Sequence, residues 1–309
     1  MASRAAGEYP DVPEQLAAPG IDSHTHLDIC TGVRLPLKAG EVIAEDVVPG
    51  EDEQFPPLSF FYESAMAAGI ERVVQIGCNL PAARWTADIV ASEAEDGRPW
   101  LLGGVALHPN EAPTLARAGQ LDEALAEIDE LAGRERVRVV GETGLDYFRT
   151  DASDSADMDA QKESFRAHIE IAKRRGLALQ IHDREAHQDV LDTLAEVGAP
   201  DVTILHCFSG DVDMAEECAR RGYFMSFAGN ITFKNAAGLR EAAAVVPDEL
   251  LLTETDAPFL TPHPHRGKPG GPYLAALNAR KLAEVRGVSE EHIANITTAN
   301  ALRAIGEWA

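Results

Sequence analysis

A chain of 309 residues, 45% hydrophobic and 25% charged, has the make-up of a soluble globular protein and enough length to bury a substantial core. Its formal net charge of −24 argues against a protein that coats long duplex DNA through a basic surface, but leaves room for a local site whose sign is reversed by bound cations. Length alone suggests about two domains, yet (β/α) barrels of roughly 250 residues and more fold as one.

Residues 1–19 are polar and Pro-containing and read as a lead-in to one domain over 20–309. They lack the apolar core of a secretory signal, and no run approaches the roughly 18 apolar residues of a membrane span. Cys30, Cys78, Cys207 and Cys218 form no Cys-x-x-Cys pair and read as reduced thiols. The expected location is the cytoplasm, with no membrane and no obligate protein partner.

The first strand is expected from Ile21 to about His26. Residues 31–57 hold Pro36, Pro49, Pro56, Pro57 and acids from Glu41 to Glu53, and read as a long surface loop inserted in the domain, either functional or simply tolerated. Apolar runs then alternate with helical patterns. Strands are predicted at 72–77, 101–107, 137–140, 177–181, 202–205, 222–227 and 250–253. Helices are predicted at 58–68, 81–95, 121–131, 159–175, 185–197, 212–221, 236–245, 273–286 and 289–307, with Gly69 and Gly176 as stops. Strict alternation of eight strands with helices predicts the α/β class and closure into a (β/α)8 TIM barrel, with a doubly wound open sheet as the alternative. No Gly-x-Gly-x-x-Gly opens a helix after a strand, and there is no Walker A pattern.

The chemistry begins at Asp22-Ser23-His24-Thr25-His26. Side chains alternate along a strand, so Asp22, His24 and His26 are expected on one face. Two imidazoles at that spacing reach a single divalent ion, and Asp22 is placed to accept from an imidazole N–H. Those few residues also fit a polar turn with chance histidines. Position along the rest of the chain favours the metal reading. His108, Glu142, His182, His206 and Asp256 each stand at or just past the end of a predicted strand. In a barrel these ends form one face, where active sites of this fold lie. His24, His26, Glu142, His182, His206 and Asp256 are too many donors for one tetrahedral ion. They fit two ions about 3.5–4 Å apart, with the carboxylate of Glu142 as the natural bridge. His168 reads as structural, His187 and His292 as helix-surface residues, and His263 and His265 as loop residues within reach of the pocket mouth. Asp151, Asp154, Asp157 and Asp159 read as a solvated loop and a helix start.

Five segments carry a resemblance: Asp22-Ser23-His24-Thr25-His26-Leu27-Asp28, Gly141-Glu142-Thr143-Gly144-Leu145-Asp146-Tyr147, Ile181-His182-Asp183-Arg184, His206-Cys207-Phe208-Ser209-Gly210 and Glu254-Thr255-Asp256-Ala257-Pro258. In this order the chain resembles the TatD family of metal-dependent hydrolases, in the amidohydrolase-like superfamily. The resemblance implies a TIM barrel, two divalent ions of the magnesium, manganese or zinc kind, and deoxyribonuclease activity on DNA ends or short single strands. It implies one metal held by His24, His26, Glu142 and Asp256, and a second by Glu142, His182 and His206. It implies that His108 and Arg184 meet substrate phosphate, and that Asp256 also takes the proton of the nucleophile. Three departures bear on substrate: Asn110 where the family usually has a second histidine, Gly267-Lys268-Pro269-Gly270 where it tends to have Gly-Lys-x-Asn, and the long 31–57 segment. The same barrel and donors would equally serve a hydrolase of a small amide, lactone or phosphoester. A noncatalytic metal-binding module fits less well with a complete donor set.

Overall fold

The computed structural model describes residues 7–33, 55–150 and 155–308. Among them, one parallel sheet is hydrogen-bonded in sequence order: β1 (Gly20–Thr25), β2 (Ile70–Gly77), β3 (Leu101–Val105), β4 (Val137–Asp146), β5 (Ala178–Arg184), β6 (Thr203–Leu205), β7 (Phe224–Phe227) and β8 (Leu251–Thr253). The last strand returns to the first. Asp256 N–H donates to the His24 carbonyl at 2.9 Å, and His26 N–H to the Ala257 carbonyl at 2.8 Å. Ser23 Oγ adds a bond to the Thr253 carbonyl at 3.0 Å. Helices separate the strands, so the architecture is the predicted (β/α)8 barrel.

The sequence builds this because both faces of each strand are covered. Helices pack outside and side chains fill the middle, which is why β2 runs Val73-Val74-Gln75-Ile76 with every one of these residues buried. The helices carry a matching stripe. Helix Leu121–Ala132 buries Leu121, Ala124, Leu125, Ile128 and Ala132, the spacing of one helical face. Side chains fix the starts: Asn79 accepts from Ala82 N–H before helix Leu80–Glu95, and Asp211 from Met214 N–H before helix Val212–Arg220. Such a cap contributes about 1 kcal/mol.

The structure differs from the sequence reading at several places. β4 continues to Asp146 and β5 to Arg184, so Glu142 and His182 lie within strands and not beyond them. The extension exists because the two strands keep pairing, Gly144 opposite His182 and Asp146 opposite Arg184. A register shift between Val140 and Thr143 interrupts this pairing at Glu142. Such an irregularity re-aims a side chain, here toward the barrel axis. Gly144 makes the pairing possible. It sits at φ +140°, and a Cβ there would lie 2.0 Å from the His182 carbonyl oxygen. Two short helices, Leu27–Cys30 and Ala112–Arg117, were not expected from the sequence. The lead-in is packed where it is described: Leu16 is buried in the core, and the Tyr273 hydroxyl donates to the Pro10 carbonyl at 2.8 Å. Most of the 31–57 segment, residues 34–54, lies outside the described residues, as do Asp151 and Asp154.

His168 is structural in a way that reaches the site. Its Nδ1–H donates to the Ser164 carbonyl at 2.7 Å, and its Nε2 accepts the N–H of Leu107, the neighbour of His108, at 3.0 Å. Burial pushes its pKa down from 6.5 to about 4, against a smaller upward pull from the Ser164 carbonyl. The folded protein therefore binds this proton less well than the unfolded chain. The stability due to neutral His168 is complete above pH 6.5 and is lost as the pH falls through about 4. The loss amounts to about 3 kcal/mol. Denaturant unfolding of metal-free protein at pH 7 and pH 4 checks this. His168→Gln, which keeps a donor and an acceptor, is expected to lose about 3 kcal/mol less than the wild type over that interval. Equal losses would exclude the linkage.

Candidate metal centre

The strand ends bring six expected donors into one cluster at the mouth of the barrel. His24 comes from β1 and His26 from the residue after it, and their Nε2 atoms face each other at 3.3 Å. Asp256, just past β8, sends Oδ1 to 3.3 Å from His26 Nε2 and 3.9 Å from His24 Nε2. Glu142 reaches in from β4 with its two oxygens divided. Oε2 lies 3.7 and 3.8 Å from the Nε2 atoms of His26 and His24. Oε1 lies 2.5 Å from His182 Nδ1 and 2.8 Å from His206 Nε2. Of four donor groups among the described residues, the others being His24 with His206 and Glu254, and His108 with Asp146 and His182, two gather around Glu142: His24 with His26 and Glu142, and Glu142 with His182 and His206.

The hydrogen bonds behind the rings test whether this set suits a cation. His24 Nδ1 faces Gln180 Oε1 at 2.8 Å, and Gln180 is oriented by donating its Nε2 to the Ser23 carbonyl. His26 Nδ1 faces the Ile76 carbonyl at 3.1 Å. His206 Nδ1 faces Glu254 Oε1 at 3.2 Å. All three partners are acceptors, so each Nδ1 carries hydrogen and each Nε2 is turned to the cluster, where it takes either a proton or a metal ion. Lone pairs at 2.8–3.9 Å from carboxylate oxygens repel unless a cation stands between them. The donors therefore fit divalent metal, and imidazole-rich donors favour ions such as zinc over magnesium.

Electrostatics agree. Burial holds His24 well below the usual imidazole range, and the neighbouring His206 adds to this. At His206 burial pulls down, but Glu142 and Glu254 outweigh it and hold the ring well above that range. At His182 burial is outweighed by Glu142 and Asp146, and the pKa stands at about 8. Burial pushes Glu142 up, yet His206, His108 and His182 hold it well below the usual carboxylate range. Without metal the cluster retains protons in its place, so metal binding must displace them and strengthens as the pH rises.

The two expected substrate residues stand differently. His108 Nε2 lies 3.5 Å from Glu142 Oε1. Its Nδ1 accepts the Asn110 N–H at 3.1 Å, so the hydrogen is on Nε2. Burial keeps the ring neutral by lowering its pKa. His108 is thus a neutral donor aimed into the cluster rather than a further lone pair. Arg184 lies over the ring of Phe148, its guanidinium carbon 3.9 Å from the centroid. His263 is exposed and His265 half-buried on the loop after β8, and neither belongs to a donor group among the described residues. His187 and His292 are surface residues paired with Asp183 and Asp248.

Two sequence expectations need correction. Asp22 supports no imidazole. Its carboxylate accepts from Thr255 N–H at 2.8 Å, Thr255 Oγ1 at 2.6 Å and His24 N–H at 3.3 Å, so it fixes the β8 end beside Asp256. The roles expected of it fall to Gln180 and the Ile76 carbonyl. Asn110 bears on more than substrate: its Nδ2 donates to Asp146 Oδ2 at 3.1 Å, and that oxygen lies 3.4 Å from His182 Nε2. The sequence reading also missed four supporting residues, Gln180, Asp146, Glu254 and Cys78. Cys78 Sγ lies 3.3 Å from Glu142 Oε2, and burial pushes its thiol up to about 12, so it stays a neutral donor. Asp146, Glu254 and Cys78 stand at strand ends, and the positional rule that picked out the candidate donors would have found them too.

A family model described as "TatD related DNase" matches residues 21–306. The chain is 43% identical over 287 residues to an uncharacterised metal-dependent hydrolase, TatD, of Mycobacterium tuberculosis, covering 93% of this chain and 97% of that one. It is 39% identical to the uncharacterised metal-dependent hydrolase YabD of Bacillus subtilis, covering 78% and 89%. Among solved structures, the TatD homologue YjjV of Escherichia coli superposes with a TM-score of 0.73 at 26% identity, over 93% of this chain and 98% of that chain. Sequence match and shared barrel run through the same strand ends that carry the cluster, and the chain belongs to the TatD family of metal-dependent hydrolases.

Proposed function

We propose that this hydrolase is a deoxyribonuclease that removes nucleotides from single-stranded or frayed DNA ends in the 3′-to-5′ direction, using two divalent ions, zinc or manganese before magnesium. The observation that carries the reading is the division of Glu142, one oxygen toward His24 and His26 and the other toward His182 and His206. One carboxylate between two donor groups suits a pair of ions, and paired ions suit displacement at phosphorus. When bound, the ions would polarise the attacked phosphate and lower the pKa of water from 15.7 toward about 7. His24, His26, Glu142 and Asp256 would hold one, and Glu142, His182 and His206 the other.

The chain's own groups do the rest. Asp256 is the most open carboxylate of the cluster, its side chain 16% exposed against 6% for Glu142. Its Oδ1 accepts the proton of the attacking water. His108 Nε2–H donates to a phosphate oxygen. Arg184, Lys234 and Arg266 stand on the strand ends and loops around the mouth and attract the strand. The net charge of −24 over the whole chain disfavours long duplex. Four free cysteines suit a reducing compartment, and we assign the protein to the cytoplasm. No helix of the described residues is long and apolar enough to cross a membrane.

The test uses end-labelled single strands and closed circular duplex across a salt series. Single strands should shorten from the 3′ end while the circle survives. Binding should fall with salt at a slope of about −2, as for three contacted phosphates on a single strand. Efficient cutting of the circle, or a steep slope, would contradict the proposal. Hydrolysis of a small ester or lactone with every DNA left intact would select the small-molecule reading.

A further inference from the structure

We propose that Phe148, backed by the Arg184 guanidinium, is a stacking shelf for the terminal nucleobase of a strand whose phosphate lies at the metal centre. The inference rests on the deoxyribonuclease reading and names how that substrate is held.

Phe148 is out of place for a folded protein's interior logic. It is 57% exposed, and the other large hydrophobic side chains exposed among the described residues are the valines Val12, Val245 and Val288. An exposed aromatic ring on a catalytic face is a candidate for binding. Its place is tightly set. Phe148 N–H and Arg149 N–H both donate to Asp146 Oδ1, at 3.1 and 2.9 Å. The other oxygen of Asp146 lies 3.4 Å from His182 Nε2 in the cluster. Tyr147 N–H donates to the Arg184 carbonyl at 2.9 Å, which ties the turn to the end of β5. Two residues of chain span at most about 7 Å, so the backbone of Phe148 stands close to that of Asp146, which touches His182 of the cluster.

Arg184 covers one face of the ring at 3.9 Å. A planar guanidinium on one face holds the ring still, and the high exposure leaves the rest of the ring open to a second flat group. Every nucleobase offers such a face, so stacking suits a nuclease that must accept any sequence. The arrangement differs from the other cation–aromatic pairs. Phe224, under Arg303, is buried at the start of β7, at the opposite end of the barrel. Tyr62, beside Arg98, lies on an outer helix. Phe233 carries Arg266 at 4.0 Å across the mouth, on the loops after β7 and β8, but is half-buried. Among these pairs of the described residues, Phe148 alone combines the catalytic face with a largely open ring.

The experiment compares two labelled single strands, identical except that one ends in an abasic 3′ nucleotide, and reads the ratio of kcat/KM values with manganese present. The wild type should prefer the base-bearing end by on the order of 10-fold, as expected for one stacked base. Phe148→Ala should bring the ratio close to one. Phe148→Leu, apolar but without a π face, should do the same, and Phe148→Trp should keep or raise the preference. The wild-type ratio in the Ala or Leu variant would overturn the shelf while leaving the nuclease reading intact. A wild type that cleaves neither strand, yet hydrolyses a small ester, would overturn both.

Discussion

Glu142→Ala is expected to empty both metal positions at once. Its two oxygens face different histidine pairs, His24 with His26 and His182 with His206. No other carboxylate in the cluster faces both. Loss of a residue that merely orients a ligand lowers metal affinity about 10–100-fold, so loss of a shared ligand should exceed this at each position. The loss is compounded electrostatically. Glu142 is the largest of the charges that hold protons on His182 and His206 against burial, ahead of Asp146 and Glu254. Without it, four imidazoles would have to accept two divalent ions with only Asp256, Glu254 and Asp146 beside them. Glu142→Gln is the informative companion. An amide offers one oxygen and one NH2, so it can serve one histidine pair and must present a donor to the other. Elemental analysis after dialysis against excess metal should give about two ions for the wild type, fewer than one for Ala and no more than one for Gln. Two ions in Glu142→Ala would remove Glu142 from the shared role.

The barrel and the cluster of metal-donor side chains were legible in the sequence for one reason. In a (β/α) barrel the end of every strand arrives at the same place, so a one-dimensional rule, polar residue at a strand end, becomes a three-dimensional one. His24, His206 and Asp256 obey it although more than 230 positions separate the first from the last, while Glu142 reaches the same place from inside the longer β4. What the rule does not supply is partnership across the barrel. Gln180 supports His24 from four strands away, and Asp22 spends its carboxylate on Thr255, 233 residues distant. Neither pairing leaves a local pattern, because each follows from barrel closure and from which side chain fills the interior beside it. The extension of β4 and β5 was hidden for a related reason. Polar residues such as Glu142 and Asp146 look like loop residues until the neighbouring strand is known to pair with them. Arg184 was named from the sequence, but its stacking on Phe148 was not, because that depends on a turn geometry that Asp146 sets with two backbone bonds.

Asp256→Asn is expected to lower turnover by about 10²–10⁴-fold while leaving the fold intact, the range for removal of a positioned proton acceptor. The choice of asparagine follows from the backbone. Asp256 sits at φ +54°, in the left-handed region, and asparagine is among the few residues besides glycine that adopt it readily. Its N–H bond to the His24 carbonyl, part of barrel closure, is untouched by the change. Alanine would lose this conformational ease and confuse a structural effect with a chemical one. The amide keeps an acceptor oxygen where Oδ1 stands, 3.3 Å from His26 Nε2, so one metal contact can survive. It cannot take a proton from water. The two roles of Asp256 therefore separate. If it is chiefly a ligand, added metal should restore both occupancy and rate in the variant. If it is the proton acceptor, occupancy should recover with metal while kcat stays low and KM changes little. Measuring metal content, kcat and KM together on single-stranded substrate decides between them, and a metal-replete variant with near wild-type kcat would exclude Asp256 as the acceptor.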